Sequence, residues 1–202
     1  MNVTAQAGPD GRLRCPWALG APEYLDYHDT EWGVPVTSVT GLFERLSLEA
    51  FQSGLSWITI LRKREAFRTA FLGFDPARVA EFDEADVARL MADPSIVRNH
   101  AKITATVANA RVVAGLGEEF ARIVLRYAEP DHPRPTGGGD IRASSPGSVA
   151  MAKELKRAGI RFVGPTTAYA LMQAVGLVDD HLADCFVPPR SRQSSPQSPS
   201  DS

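Results

Sequence analysis

The sequence predicts an all-α protein in two lobes, with its N- and C-terminal segments together in one of them. Three observations carry that expectation. Apolar residues recur at helical spacing through most of the chain, capping residues stand ahead of those runs, and no pair of alternating runs suggests a sheet. The 202 residues suit one large domain or two small lobes around a cleft. With 44% apolar and 23% charged residues and a mean hydropathy of -0.16, the chain has the profile of a folded soluble protein. Disordered, collagenous and membrane-spanning classes are excluded.

Residues 1–13 are Gly-rich and polar and read as a flexible lead. A first helix is expected over 23–29, with Pro22 at its start. The stretch 40–53 places Leu42, Phe43, Leu46 and Ala50 on one helical stripe, and Ser56 stands as a cap for a helix reaching Phe71. Asp75-Pro76 opens a short helix, and Asp83 with Asp86 opens another. Helical spacing returns over 99–114, 149–158 and 166–175, while 129–147 reads as a long loop. Residues 187–202 are Pro/Ser-rich and read as a disordered tail, which leaves 14–186 as the folded domain.

A net charge of -2 excludes a broadly cationic nucleic-acid coat but leaves room for a local basic face. Arg62, Lys63, Arg64 and Arg68, with Arg98, His100 and Lys102, suit either a phosphate-tracking rim or a solvated face balanced by acids. No run of about 18 apolar residues predicts a membrane span. The first residues lack the apolar segment of a secretory signal, so a cytoplasmic location is expected. In that compartment Cys15 and Cys185, the two cysteines, are not expected to form a disulfide.

Three constellations can carry chemistry. Leu155 to Ala168 reads as a helix ending at Gly159, a tight turn, and a new helix opening at Gly164, whose free amides suit a DNA phosphate. An ordinary helix–loop–helix corner has the same pattern. Cys15, His28, His181 and Cys185 make a set that suits a tetrahedral zinc with no open position, and His181 and Cys185 share a face if that segment is helical. Isolated buried cysteines and hydrogen-bonded histidines are the alternative. Finally, Glu49 falls within about 20° of Leu42 on the apolar stripe, taking about 100° per residue. A carboxyl there needs donors, a ligand or an escape to solvent. Trp57 follows the break Gly54-Leu55-Ser56, where its ring either lines a cavity or joins the core.

The strings Arg14-Cys15-x-Trp17, Tyr24-x-x-Tyr27-His28-Asp29-x-Glu31-Trp32-Gly33-Val34-Pro35 and Leu48-Glu49-x-x-Gln52-x-Gly54-Leu55-Ser56-Trp57 resemble the bacterial 3-methyladenine DNA glycosylase I family. Leu61-x-Lys63-Arg64-Glu65, Phe162-Val163-Gly164 and Asp180-His181-x-x-x-Cys185 extend the resemblance over 14–186. That family is a branch of the helix-hairpin-helix glycosylases. The resemblance implies a helical fold with structural zinc on Cys15, His28, His181 and Cys185. It implies excision of 3-methyladenine from double-stranded alkylated DNA by a monomer that releases the free base. Glu49 and Tyr27 would read the polar edge of the flipped base, Trp57 would stack on its face, and Tyr24 and Trp17 would close the pocket. Gly159, Val163, Gly164 and Thr166, with Lys63 and Arg64, would hold the DNA backbone.

The chemistry suits those residues. A base methylated at N3 is cationic and already a good leaving group, an indole face favours a cation, and a buried carboxylate complements its charge. Related enzymes that also cut the backbone carry a lysine just after the hairpin, whereas Gly164-Pro165-Thr166-Thr167 has none, so no lyase step is expected. Asp179 stands where wider relatives use a catalytic aspartate, and it equally suits a cap for the His181 segment. Leu55 suits a wedge that fills the stack. A non-catalytic zinc module that binds damaged DNA is the alternative function.

Overall fold

The helical periodicity becomes nine α-helices among residues 4–189, the part of the chain that the computed structural model describes. They are α1 (Pro22–Thr30), α2 (Val39–Gln52), α3 (Trp57–Ala70), α4 (Pro76–Ala80), α5 (Glu84–Ala92), α6 (His100–Leu116), α7 (Glu118–Leu125), α8 (Pro146–Arg157) and α9 (Pro165–Ala174). The cap signals act largely as the sequence suggests. Asp75 accepts from the amides of Ala77 and Arg78, and Asp83 with Asp86 forms a reciprocal capping box. Ser56 is an exception: its hydroxyl pairs with that of Thr59 instead of a backbone amide.

Three segments depart from the sequence reading. Part of the expected flexible lead is strand, since Gln6–Ala7 (β1) pairs antiparallel with Leu13–Arg14 (β2). Helix α7 has no counterpart among the helices expected from the sequence, although it buries Phe120, Ala121, Ile123 and Val124 on one face; it is short and lacks a side-chain cap. Residues 181–186 form turns instead of the helical turn expected for His181 and Cys185, with the Cys185 amide donating to Leu182 O. Of the expected tail, 190–202 lie outside the described residues.

The apolar interior falls into two unequal clusters. The larger runs from Leu42 on α2 to Val178 beyond α9 and includes a row of Phe51, Phe67, Phe71 and Phe74. The smaller gathers Cys15, Leu182 and Cys185 under Trp17, Trp32 and Phe186, and so joins the two ends of the chain. The Phe186 amide donates to Leu13 O across that junction.

Buried polar groups hold the two turns that matter most. At the α8–α9 corner, Gly159 takes φ 102, and the amides of Gly159 and Ile160 return to Lys156 O and Leu155 O, a Schellman closure. Buried Asn109 of α6 grips Arg161 through both its amide and its carbonyl. At the α2–α3 corner, Lys102 of α6 donates to Phe51 O and Ser53 O at 2.8 and 2.6 Å. The sequence places Lys102 in a basic rim; the structure buries it, and burial lowers its pKa. Its cation instead closes the negative end of α2. Lys102→Met is therefore expected to cost about 1–3 kcal/mol in a urea melt, through two unpaired carbonyls.

Candidate active site and Cys/His centre

Helix α2 is buried on nearly every side over its second half, from Leu46 to Phe51, so Glu49 stays within the fold and does not turn out to bulk solvent. Glu49 is 7% exposed, and among the described residues its carboxyl makes no hydrogen bond or ion pair. Burial lifts its pKa to about 8, opposed only by the charge of Arg45. Glu49 faces a cavity of about 440 Å³ whose walls include Trp17, Tyr24, Tyr27, Trp57, Gln52, Gln173 and Asp180. All five residues that the family resemblance assigns to the base therefore meet at one hollow.

The aromatic walls brace each other. Tyr27 and Trp57 lie 5.5 Å apart at a tilt, and Trp17 meets Tyr24 edge-on at 5.7 Å. The Tyr24 hydroxyl accepts from the Ile58 amide at 2.8 Å, which locks it at the start of α3. The Tyr27 hydroxyl has no partner among the described residues, and burial and then the Glu49 charge push its pKa up, so it stays a donor. The Tyr27 hydroxyl and the Glu49 carboxyl thus both stand unpartnered in the wall of a largely aromatic slot. Beside it, Gly54 takes φ 82 at the α2–α3 turn and leaves Leu55 41% exposed.

The cavity also borders the Cys/His group, because Cys15 and Leu182 belong to its wall. Ligand atoms of Cys15, His28 and Cys185 lie within 4.8 Å of one another. His181 stands outside that triad but close, its ring 5.0 Å from that of His28. Its Nε2 is buried with no partner, which is costly unless something is bound there. Both imidazoles have Nδ1 on a carboxylate, His28 on Asp29 at 2.8 Å and His181 on Asp179 at 2.9 Å, so each is turned to offer Nε2. Two thiols and two oriented imidazoles, one of them with an orphaned nitrogen, fit a tetrahedral metal site with its outer carboxylates. A hydrogen bond between the thiols raises the Cys15 pKa and lowers that of Cys185.

Several expected roles change in three dimensions. Asp179 does not line the cavity, and no helix follows it to be capped. It accepts from His181 and from Arg134 Nε and Nη2, bonds that hold it ionised against its burial. Its neighbour Asp180 takes the cavity wall. The arginines of α3 are already neutralised, Arg64 on Glu31 at 2.6 and 2.7 Å, Arg62 on Glu23, and Arg68 on Glu44 and Glu65. Arg64 therefore has no spare charge for a phosphate, and Lys63 donates to the carbonyls of Pro94 and Ser95.

At the α8–α9 corner the Val163 side chain is buried, Thr166 is exposed, and no side chain caps the first turn of α9. A Cβ on Gly164 would meet nothing within 4 Å, so the space over that turn is open from outside. Sequence reasoning missed Gln173 and Asp180. The spacing of Tyr169 and Gln173, one helical turn apart on α9, was the available signal.

The sequence profile of the methyladenine glycosylase family matches residues 17–188. DNA-3-methyladenine glycosylase 1 of Escherichia coli (strain K12) is 44% identical over 184 residues, covering 89% of this chain and 98% of that protein. DNA-3-methyladenine glycosylase of Haemophilus influenzae is 42% identical over 178 residues, with 85% and 96% covered. Among solved structures, a 3-methyladenine DNA glycosylase I superposes with a TM-score of 0.84 at 45% identity, over 87% of this chain and all of that one. The Staphylococcus aureus 3-methyladenine DNA glycosylase I, solved to explain 3-methyladenine recognition, gives 0.83 at 34% identity, covering 88% and 97%.

Proposed function

The chain belongs to the methyladenine glycosylase family, and from that premise we propose that it excises 3-methyladenine from alkylated double-stranded DNA and leaves an abasic site. The observation that carries this reading is the buried, unpartnered carboxyl of Glu49 facing an aromatic slot. A non-catalytic DNA-binding module has no use for so costly a group.

The damaged nucleotide leaves the stack and enters the slot, with Leu55 filling the gap behind it. Trp57 stacks on the cationic ring, Tyr27 donates to its edge, and Glu49 accepts from the exocyclic amine. The glycosidic bond breaks with its electron pair going to the base, which becomes neutral. Water adds at C1′ of the sugar and gives up a proton. No step falls to Asp179, which holds His181 in place. The chain supplies no lysine after the hairpin, so the strand is not cut. Backbone amides of Val163, Gly164 and Thr166 take the DNA phosphate, with Gly164 leaving room for its approach, while Gly159, its own amide committed to Lys156 O, shapes the turn. We place the reaction in the cytoplasm and on the monomer.

Cys15, His28, His181 and Cys185 would hold zinc, whose part is structural: it fixes the wall that Cys15 and Leu182 contribute. Incubating the protein with methylated duplex DNA and analysing the released bases tests the whole reading. Free 3-methyladenine is the expected product, and its absence would refute the proposal. In the same assay Leu55→Ala should slow excision about tenfold while leaving affinity for the free base unchanged.

A further inference from the structure

Gln173 lines the cavity from α9, the helix packed beside α2 and its Glu49. Its Nε2 donates to Asp180 Oδ2 at 2.6 Å. The same oxygen accepts from the Tyr169 hydroxyl at 2.8 Å, and Asp180 Oδ1 is paired with His132 Nε2 at 2.7 Å. Asp180 is 4% exposed, so its orientation is fixed by three neighbours and not by solvent. A carboxylate offers only acceptors to these partners. It therefore dictates which end of the Gln173 amide turns toward it. The nitrogen is consumed, and the carbonyl oxygen is left without a partner among the described residues, on a side chain that forms part of the cavity wall.

We infer that Gln173 is a specificity-determining residue, presenting a locked acceptor to the exocyclic amine of the flipped purine, and that Asp180 is the positioning residue that locks it. The inference rests on the proposed glycosylase reading and deepens it. A 6-amino purine carries two amine hydrogens, enough for Glu49 and for Gln173. A 6-oxo purine places an acceptor against the Gln173 oxygen, and a fixed amide cannot turn over to meet it. The arrangement thus selects 3-methyladenine over 3-methylguanine, two bases that share the methyl group and the positive charge in DNA. Charge complementarity alone cannot separate them.

The test compares the affinities of the parent and of Gln173→Leu for free 3-methyladenine and free 3-methylguanine by calorimetry. Thermal melting of each protein checks the fold. The preference for 3-methyladenine is expected to fall about tenfold in Gln173→Leu, because only the amine loses a partner. Gln173→Met gives the same readout if the leucine variant does not fold. Asp180→Asn, which lets the amide turn over, should lower the same ratio by raising affinity for 3-methylguanine. A ratio unchanged in the Gln173 variants, or equal losses on both bases, overturns the inference. Base release by the parent from methylated DNA is scored separately, so failure of the glycosylase reading is not confused with failure of this one.

Discussion

Glu49→Gln should lose roughly 100-fold in kcat/KM for 3-methyladenine excision, because a neutral amide replaces the charge-assisted acceptor for a cationic base. The loss should depend on pH. In the free protein the Glu49 carboxyl has its pKa at about 8, raised by burial. Parent kcat/KM should therefore climb from pH 6 and level off above about 8, as the carboxyl ionises. The glutamine variant should show a flat profile, and a parent profile flat over the same range would remove Glu49 from this role.

Stability is expected to move the opposite way. A carboxyl whose folded pKa lies above its unfolded 4.5 favours the native state when protonated, and that advantage disappears as pH rises from 4.5 through about 8. The cost at pH 9 is on the order of 5 kcal/mol, for a pKa raised from 4.5 to about 8 at about 1.4 kcal/mol per pH unit. Glu49→Gln should thus melt near the parent at pH 5 and well above it at pH 9. Greater stability with lower activity separates a functional carboxyl from one retained for packing.

The second large effect belongs to the Cys/His centre. Cys15 and Leu182 are 167 residues apart in sequence and in contact in the fold. An ion held there closes most of the chain into a loop, a constraint worth about 5 kcal/mol on the unfolded state in a chain-entropy treatment. For a protein of this size, chelation should lower Tm by about 10–20 °C. Cys185→Ser should act similarly, and mass spectrometry under native conditions should find one zinc per chain in the parent and none in the variant. Excision should fall with the metal, since the ligand loops also wall the base cavity. A parent that contains no metal and melts identically with chelator would refute the assignment.

Much of this molecule is written locally. The stripe Leu42, Phe43, Leu46, Ala50 dictates α2 and puts Glu49 on its inner side, and Asp75 and Asp83 mark where helices begin. Such features depend on neighbours three or four residues away, so spacing and side-chain chemistry suffice to read them. The residues proposed to read the base were legible for a different reason, since Tyr27, Glu49 and Trp57 sit in strings that resemble a known family. No local rule identified α7, a short helix held by the face it buries.

What the tertiary structure alone decided is partnership. Arg64 looks the same in sequence whether it meets a phosphate or Glu31, a residue 33 positions away. Lys102 reads as rim until Phe51 and Ser53 close over it, and the aspartate pair divides its work, Asp179 to His181 and Asp180 to Gln173, according to which way the backbone turns after α9. A side chain's charge and hydrogen-bonding capacity are properties of the residue, but whether they are spent inside the protein or kept for a ligand depends on distant groups that only the folded chain brings within about 3 Å.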